Sequence, residues 1–181
     1  MVKLLLEEEK MELNNLIIKS VTKEELNKYL NFIEQGKKKM KHPEWMGDLT
    51  KEDYEYLLDH GALLYRWTTD DETVAVGTLF IPTKNDLNKF LCNHLNPAEV
   101  IEFGPQMVNN DYVGKGIQRI IIKHLETKAL SLGYMHALVT VHPNNHYSLN
   151  NFLKLGYEEV TRVTLKRGER IVLIKSWIGT L

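Results

Sequence analysis

Residues Val108–Leu125 read V-N-N-D-Y-V-G-K-G-I-Q-R-I-I-I-K-H-L, an apolar run, a turn with two glycines, then a helical pattern. Ile117, Ile120, Ile121 and Leu125 recur at the three- and four-residue spacing of one buried helix face. The spacing therefore predicts a strand, a tight turn and an amphipathic helix. Between strand and helix, Val113, Gly114, Lys115, Gly116, Ile117 and Gln118 offer backbone amides with little side chain to block approach. Unpaired N–H groups and the positive end of a helix dipole point the same way there, which favours an anion. A phosphate-bearing ligand and an unliganded glycine-rich turn are both open at this point.

Length and composition bound what the rest of the chain can be. At 181 residues the chain fits one domain, able to bury roughly 70% of its unfolded surface without staples. Hydrophobic residues at 43% and charged residues at 26% are ordinary for a globular protein. A net charge of −1 and a pI near 6.7 provide no field for nucleic acid or an anionic membrane. Cys92 is the single cysteine, so no internal disulfide is expected. The seven histidines show no metal-ligand spacing, so no metal is expected. No apolar run reaches the length of a membrane span, and Met1–Lys10 is too acidic for a signal peptide. The default compartment is the cytoplasm.

Outward from the glycine turn, the elements alternate. Residues 1–12 read as an N-terminal extension and 13–181 as the domain. Leu16-Ile17-Ile18 predicts a short strand. Thr22 and Glu25 form a capping-box pattern before a helix lined by Leu26, Tyr29, Leu30 and Ile33, with Gly36 as its end. The run Lys37-Lys38-Lys39-Met40-Lys41 then reads as a charged loop. Thr50 caps a second helix closed by Gly61. Residues 62–68 and 73–81 predict a hairpin about Asp70-Asp71-Glu72. Residues 83–98 form a long connection in which Leu87, Phe90, Leu91 and Leu95 have helical spacing, broken by Pro97. Strands follow at 99–108 and 135–141, a helix from Asn144 to Gly156, and strands at 157–165 and 170–177. The order predicts a single α/β (α+β) domain with a mixed sheet of about seven strands flanked by helices.

Two phosphate-binding patterns fail on this turn. Lys115 lacks the leading glycine spacing and the following Ser/Thr of a P-loop, and Arg119 occupies the third glycine position of the dinucleotide fingerprint. Residues 16–177 instead resemble the GNAT superfamily of acyl-CoA-dependent N-acyltransferases. The resemblance rests on three features. Val113-Gly114-Lys115-Gly116-Ile117-Gln118 matches the family's Q/R-x-x-G-x-G/A loop at Gly116, with Val113 and Gln118 departing from it. V-H-P-N-N-H-Y-S-L-N-N-F-L-K-L-G-Y, starting at Val141, matches V-x-P-x-N-x-x-[AS] … K-x-G-[FY]. The third feature is the order of elements.

The resemblance implies that amides of Val113–Gln118 hold the pyrophosphate of acetyl-CoA, the co-substrate, with Lys115 adding a screened charge. Strands near Val108 and Val141 would splay apart, and the pantetheine arm would pair with backbone at Met107 and Val108. Asn145 would contact that arm, or serve only as a helix cap. Acyl transfer to an amine needs the neutral amine, present at about one part in a thousand at pH 7, a cost of roughly 4–5 kcal/mol. A base removes that cost. Glu102 is the candidate, at the offset before the loop where the protein-lysine-acetylating branch of the family has its base glutamate; a solvent-facing strand glutamate is the alternative. His142 is a second candidate. Phe152 stands where many relatives carry a proton-donating tyrosine, which leaves Tyr147, Tyr157, water or no acid for the thiolate.

The implied function is acetyl transfer from acetyl-CoA to a primary amine of a small molecule or peptide, without nucleic-acid or membrane partners. A non-catalytic acyl-CoA-binding or sensing domain is the alternative. The acceptor and the choice between monomer and homodimer stay open. Trp45, Tyr54, Phe90 and Lys37–Lys41 are expected around the acceptor's mouth.

Overall fold

A computed structural model describes residues 16–70 and 72–177. The extension expected over residues 1–12 and the first residues of the domain expected over 13–181 lie outside the described residues. Seven strands form one mixed sheet in the order β1-β2-β3-β4-β5-β7-β6. They are β1 Ile17–Ser20, β2 Leu63–Thr69, β3 Glu72–Phe80, β4 Val100–Val108, β5 His136–Val141, β6 Glu158–Leu165 and β7 Gly168–Ser176. All neighbours run antiparallel except β4 and β5. Five α-helices join them: α1 Leu26–Lys39, α2 Lys51–Asp59, α3 Lys84–Lys89, α4 Ile117–Ser131 and α5 His146–Lys154.

Alternation along the strands sorts the core onto two faces. Tyr65 and Trp67 of β2, with Ile101 and Phe103 of β4, pack against α4 and α5 through Ile117, Ile121, Leu125 and Phe152. Leu64 and Val76 face the other way, onto Leu26, Tyr29 and Ile33 of α1 and Tyr54 of α2. Val100 shares that second face and meets Leu87 of α3. Glu102, two residues on from Val100, therefore points toward α3 and not into the α4 layer.

Several expectations shift by a turn. Gly36 does not end α1; the helix continues through Lys37, Lys38 and Lys39, which sit favourably at its negative end. The charged run is thus mostly helical, and Lys37 pairs with Asp48 while Lys38 pairs with Glu34. Gly36 is needed for a different reason: a Cβ there would collide with the Met107 sulfur. Gly36→Leu is expected to lower stability by about 2 kcal/mol net of improved helix propensity, read as a melting-temperature drop of roughly 4–8 °C. Within α4, Ile117, Ile121 and Leu125 are buried as expected, but Ile122 is buried in place of Ile120, which is 36% exposed. In the 83–98 connection the helix is shorter than its apolar spacing suggests. It is capped by Thr83 with Asp86, ends at Lys89, and Leu91 takes a positive φ of 55°.

Candidate active site

A gap opens between the two parallel strands. β4 and β5 pair only at Val100–His136, Ile101–Ala137 and Glu102–Leu138. Beyond Glu102 the register of β4 against β3 slips, from Leu79–Phe103 to Gly77–Gln106, so that Gly104 and Pro105 form a bulge. A proline at a bulge gives up no ladder hydrogen bond, which is why the strand tolerates it there. β5 turns away to pair with β7 as far as Val141–Ile171. The edge of β4 from Gly104 to Val108 is left facing the gap, as expected for the region around Val108 and Val141. Asn109 donates its N–H to the Val74 carbonyl at 2.8 Å. By alternation the polar backbone of Met107 also turns to β3, and that of Gln106 and Val108 turns to the gap. Of the expected pair Met107 and Val108, only Val108 presents backbone to it.

The N-terminus of α4 lies at one end of this gap. Gly114 and Gly116 have φ of 86° and 80°, a region that L side chains avoid, and Gly116 is the N-cap. The Val113 N–H bonds to Asn110 O at 3.2 Å and that of Lys115 to Tyr112 O at 3.4 Å, so those two amides are already used. Gly114, Gly116, Ile117 and Gln118 have no backbone acceptor for theirs among the described residues. The Lys115 ammonium rests over the Tyr112 ring, 5.3 Å from its centroid. A cavity of about 480 Å³ runs along this turn, lined by Val108, Gly114, Gly116, Ile117 and Asn145 among others.

A second cavity, of about 360 Å³, lies on the α3 side of the sheet and is lined by Glu102, Phe90, His142, Arg167 and Arg170. The two cavities share Trp45, Met46, Gln106, Gln118, Asn145 and Ser148 on their walls. Glu102 is only 6% exposed, not a solvent-facing strand residue. Burial pushes its carboxyl up to about 8; the Asp86 charge adds to the shift, and Arg167 and Lys89 oppose it. His142 accepts the Asn144 N–H on Nδ1 at 3.2 Å, and burial, then Arg170, hold it below the usual histidine range. Its ring stacks on Trp45 at 6.1 Å, and Trp45 stacks in turn on His42 at 4.5 Å, which makes a wall of the segment before α2.

Other expected residues divide. Asn145 caps α5 by accepting the Ser148 N–H at 3.2 Å, so the cap role is real, and it borders both cavities as well. Gln118 ties α4 to α5, donating to Ser148 Oγ at 3.0 Å and accepting from Asn151 at 2.8 Å. Tyr54 is 2% exposed in the α1–α2 core and lines neither cavity. Tyr157 packs edge-on against Phe152 at 4.9 Å inside the α4 layer and also lines neither. Tyr147 borders the larger cavity and is 80% exposed.

Sequence reasoning missed Gln106, Ser148, Arg167 and Arg170. Both polar atoms of the Gln106 amide are buried without a hydrogen-bond partner among the described residues, at the junction of the cavities. A buried amide left unpaired is costly, and a ligand entering here would satisfy it. Ser148 accepts from Gln118, which leaves its own hydroxyl proton to donate. The only hint in sequence was Ser148 closing the V-x-P-x-N-x-x-[AS] pattern; the other three carry no local signal. Among the described residues no group of three His, Cys, Asp or Glu gathers as a metal site, and no helix is long and apolar enough to cross a membrane.

Comparison with known proteins bears on this arrangement. Residues 26–157 match the acetyltransferase (GNAT) family. No curated protein matches the chain in sequence. Among solved structures, a probable acetyltransferase from Staphylococcus epidermidis ATCC 12228 is similar at a TM-score of 0.67 and 16% identity, covering 89% of this chain and 98% of that one. An aminoglycoside acetyltransferase in complex with coenzyme A is similar at 0.68 and 16%, covering 89% and 94%. The ribosomal-protein-S18-alanine N-acetyltransferase from Escherichia coli is similar at 0.64 and 15%, covering 89% and 93%. At such identities the likeness is one of fold.

Proposed function

The chain belongs to the GNAT acetyltransferase family, and from that premise we propose that it moves an acetyl group from acetyl-CoA to a primary amine of a small molecule or peptide, with Glu102 as base. The observation that carries this is the meeting of two cavities at Gln106, one along the free amides of α4, the other holding a buried carboxyl.

The residues present suit acetyl-CoA. Amides of Gly114, Gly116, Ile117 and Gln118 would hold its pyrophosphate, and the open backbone of Gln106 and Val108 would pair with its pantetheine arm. The orphaned Gln106 amide supplies a further polar contact at the end where the acetyl group would lie. The thioester provides an activated carbonyl carbon. The acceptor amine, entering through the second cavity, attacks that carbon with its lone pair. Its C–N bond forms as the C–S bond breaks, the amine's proton passes to Glu102 and the departing sulfur takes one proton to become a thiol. Backbone N–H groups of Gln106 and Val108 suit stabilisation of the charge that develops on the carbonyl oxygen. Ser148, whose hydroxyl proton is uncommitted, is better placed than Tyr157 to donate to the sulfur. His142 is a weaker base candidate, because its Nδ1 lone pair already accepts the Asn144 N–H.

Acetyl-CoA at about 100 times its Kd should stabilise the protein by ~2.7 kcal/mol, raising the melting temperature by roughly 5–10 °C. Thiol release with a panel of amines then separates catalysis from sensing. No thermal shift would sink both functions; a shift without turnover on any amine would favour the non-catalytic domain.

A further inference from the structure

Two arginines on the wall of the second cavity form no ion pair among the described residues, while Asp53, Asp86 and Glu102 line other parts of that wall. Arg170 is 1% exposed, yet among the described residues its guanidinium donates only to the carbonyls of Glu169, at 2.7 Å, and Glu44, at 3.0 Å. Arg167, half-buried beside it, donates to the Thr140 hydroxyl at 3.0 Å. All three acceptors are neutral. Among the described residues no carboxylate lies within 4 Å of either guanidinium, and Asp48, which attracts Arg170 from further off, is paired to Lys37. Two other cations of this molecule, buried Arg66 and half-buried Lys175, are treated differently. Arg66, 3% exposed, has Glu25 at 3.3 Å, and Lys175 has Glu126 at 2.9 Å.

A buried cation without a counterion is expensive, and two side by side are more so. Burial, and then the charge of Arg167, depress the Arg170 guanidinium below its ordinary value, the mark of that cost. Glu102 feels the charge of Arg167, but among the described residues it forms no ion pair with either arginine. Neither arginine lines the cavity along α4, so anionic groups of a coenzyme bound there would not reach them.

We propose that the acceptor is a small amine that also carries an anionic group, a carboxylate or a phosphate, and that Arg167 and Arg170 hold this anion while its amine faces Glu102. The assignment rests on the acetyltransferase function proposed above and narrows its substrate class. The cavity's volume of about 360 Å³ is at the small end of ligand pockets, which suits such a compound. Two guanidiniums share its wall with Asp53, Asp86 and Glu102, so the wall is not uniformly anionic, and likeness in fold to an aminoglycoside acetyltransferase does not carry the aminoglycoside over.

The test compares matched amines at saturating acetyl-CoA: an α-amino acid against its α-amide, and 2-aminoethyl phosphate against 2-aminoethanol. At least one anionic member should exceed its neutral partner in kcat/KM by about 100-fold or more, and the pair that does so identifies carboxylate or phosphate. In Arg167→Gln that ratio should fall below about 10. Thr140→Val, which removes only the hydrogen bond orienting Arg167, should lower it partway, and melting temperatures confirm that both variants fold. Equal rates within both pairs, faster acetylation of the neutral amines or of an aminoglycoside, or an undiminished ratio in Arg167→Gln would overturn the proposal while the acetyltransferase function stood. Absence of both acetyl-CoA binding and turnover in the wild type would overturn that function and this one with it.

Discussion

Glu102→Gln is expected to lower kcat/KM for acetyl transfer by about 10²–10⁴-fold, the usual worth of a positioned base. The amide keeps the side chain's shape but has no lone pair basic enough to take the proton. Burial raises the Glu102 carboxyl to about 8, so in the free enzyme it is mostly protonated at neutral pH. The wild-type kcat/KM should therefore show an inflection near 8, and this inflection should vanish in the variant, leaving only the rise due to deprotonation of the amine itself. A variant that retains the same pH profile would clear Glu102 of the base role.

The same raised value has a consequence for stability with a definite sign. Between the ordinary glutamate value of 4.5 and about 8, the folded state keeps a proton that the unfolded state gives up. Stability due to this group is then full at low pH and declines as pH rises through that window. Gln mimics the protonated form and escapes the decline. The variant should melt at the wild-type temperature near pH 5 and at least ~5 °C higher near pH 9, in the absence of ligands. Equal melting at both pH values would mean that Glu102 is not held protonated by its surroundings. Together the two measurements describe a residue that gives up stability for reactivity.

The second large effect is expected at Gly116. Its φ of 80° costs an L side chain about 1–2 kcal/mol, and more for a β-branched one. Gly116→Val is expected to weaken acetyl-CoA binding by ~100-fold or more, because it disturbs the amides of Gly116, Ile117 and Gln118 together. Strain alone cannot be mistaken for this loss if Gly133→Val is measured beside it. Gly133 has a φ of 85° at the far end of α4, and a Cβ there would touch nothing within 4 Å. Both variants should lose several degrees of melting temperature, but only Gly116→Val should lose affinity. Equal affinities in the two would remove the α4 N-terminus from the coenzyme site.

Much of the architecture was legible in the chain because it is written in local terms. Hydrophobic periodicity marked α4, and Gly133 and Gly156 marked helix ends, both with positive φ where a left-handed residue is required. β-branched runs marked the strands, and their order implied a mixed sheet. At α1 a distant contact stands beside the misjudged boundary. Gly36 looked like a helix end until Met107, seventy-one residues away in the chain, was found packed against it. Tyr54 looked like a cleft aromatic but its ring sits edge-on against Tyr29, 5.6 Å away, in the core.

The candidate site divides along the same line. By itself the sequence determined the glycine turn and the presence of a glutamate on the strand before the turn, and offered the Asn145 cap as one of two readings, since each is a matter of spacing within one segment. Tertiary structure alone decided that Glu102 is buried beside α3 and carries a raised value, because that depends on Asp86, Lys89 and Arg167 from other parts of the chain. It also decided which amides of the turn are free, which backbone of β4 faces the gap, and that Gln106 stands unpaired between two cavities. Arg167 and Arg170 show the reason most plainly. A charge becomes informative only when its burial and its neighbours are known, and both are set by how strands distant in sequence are packed together.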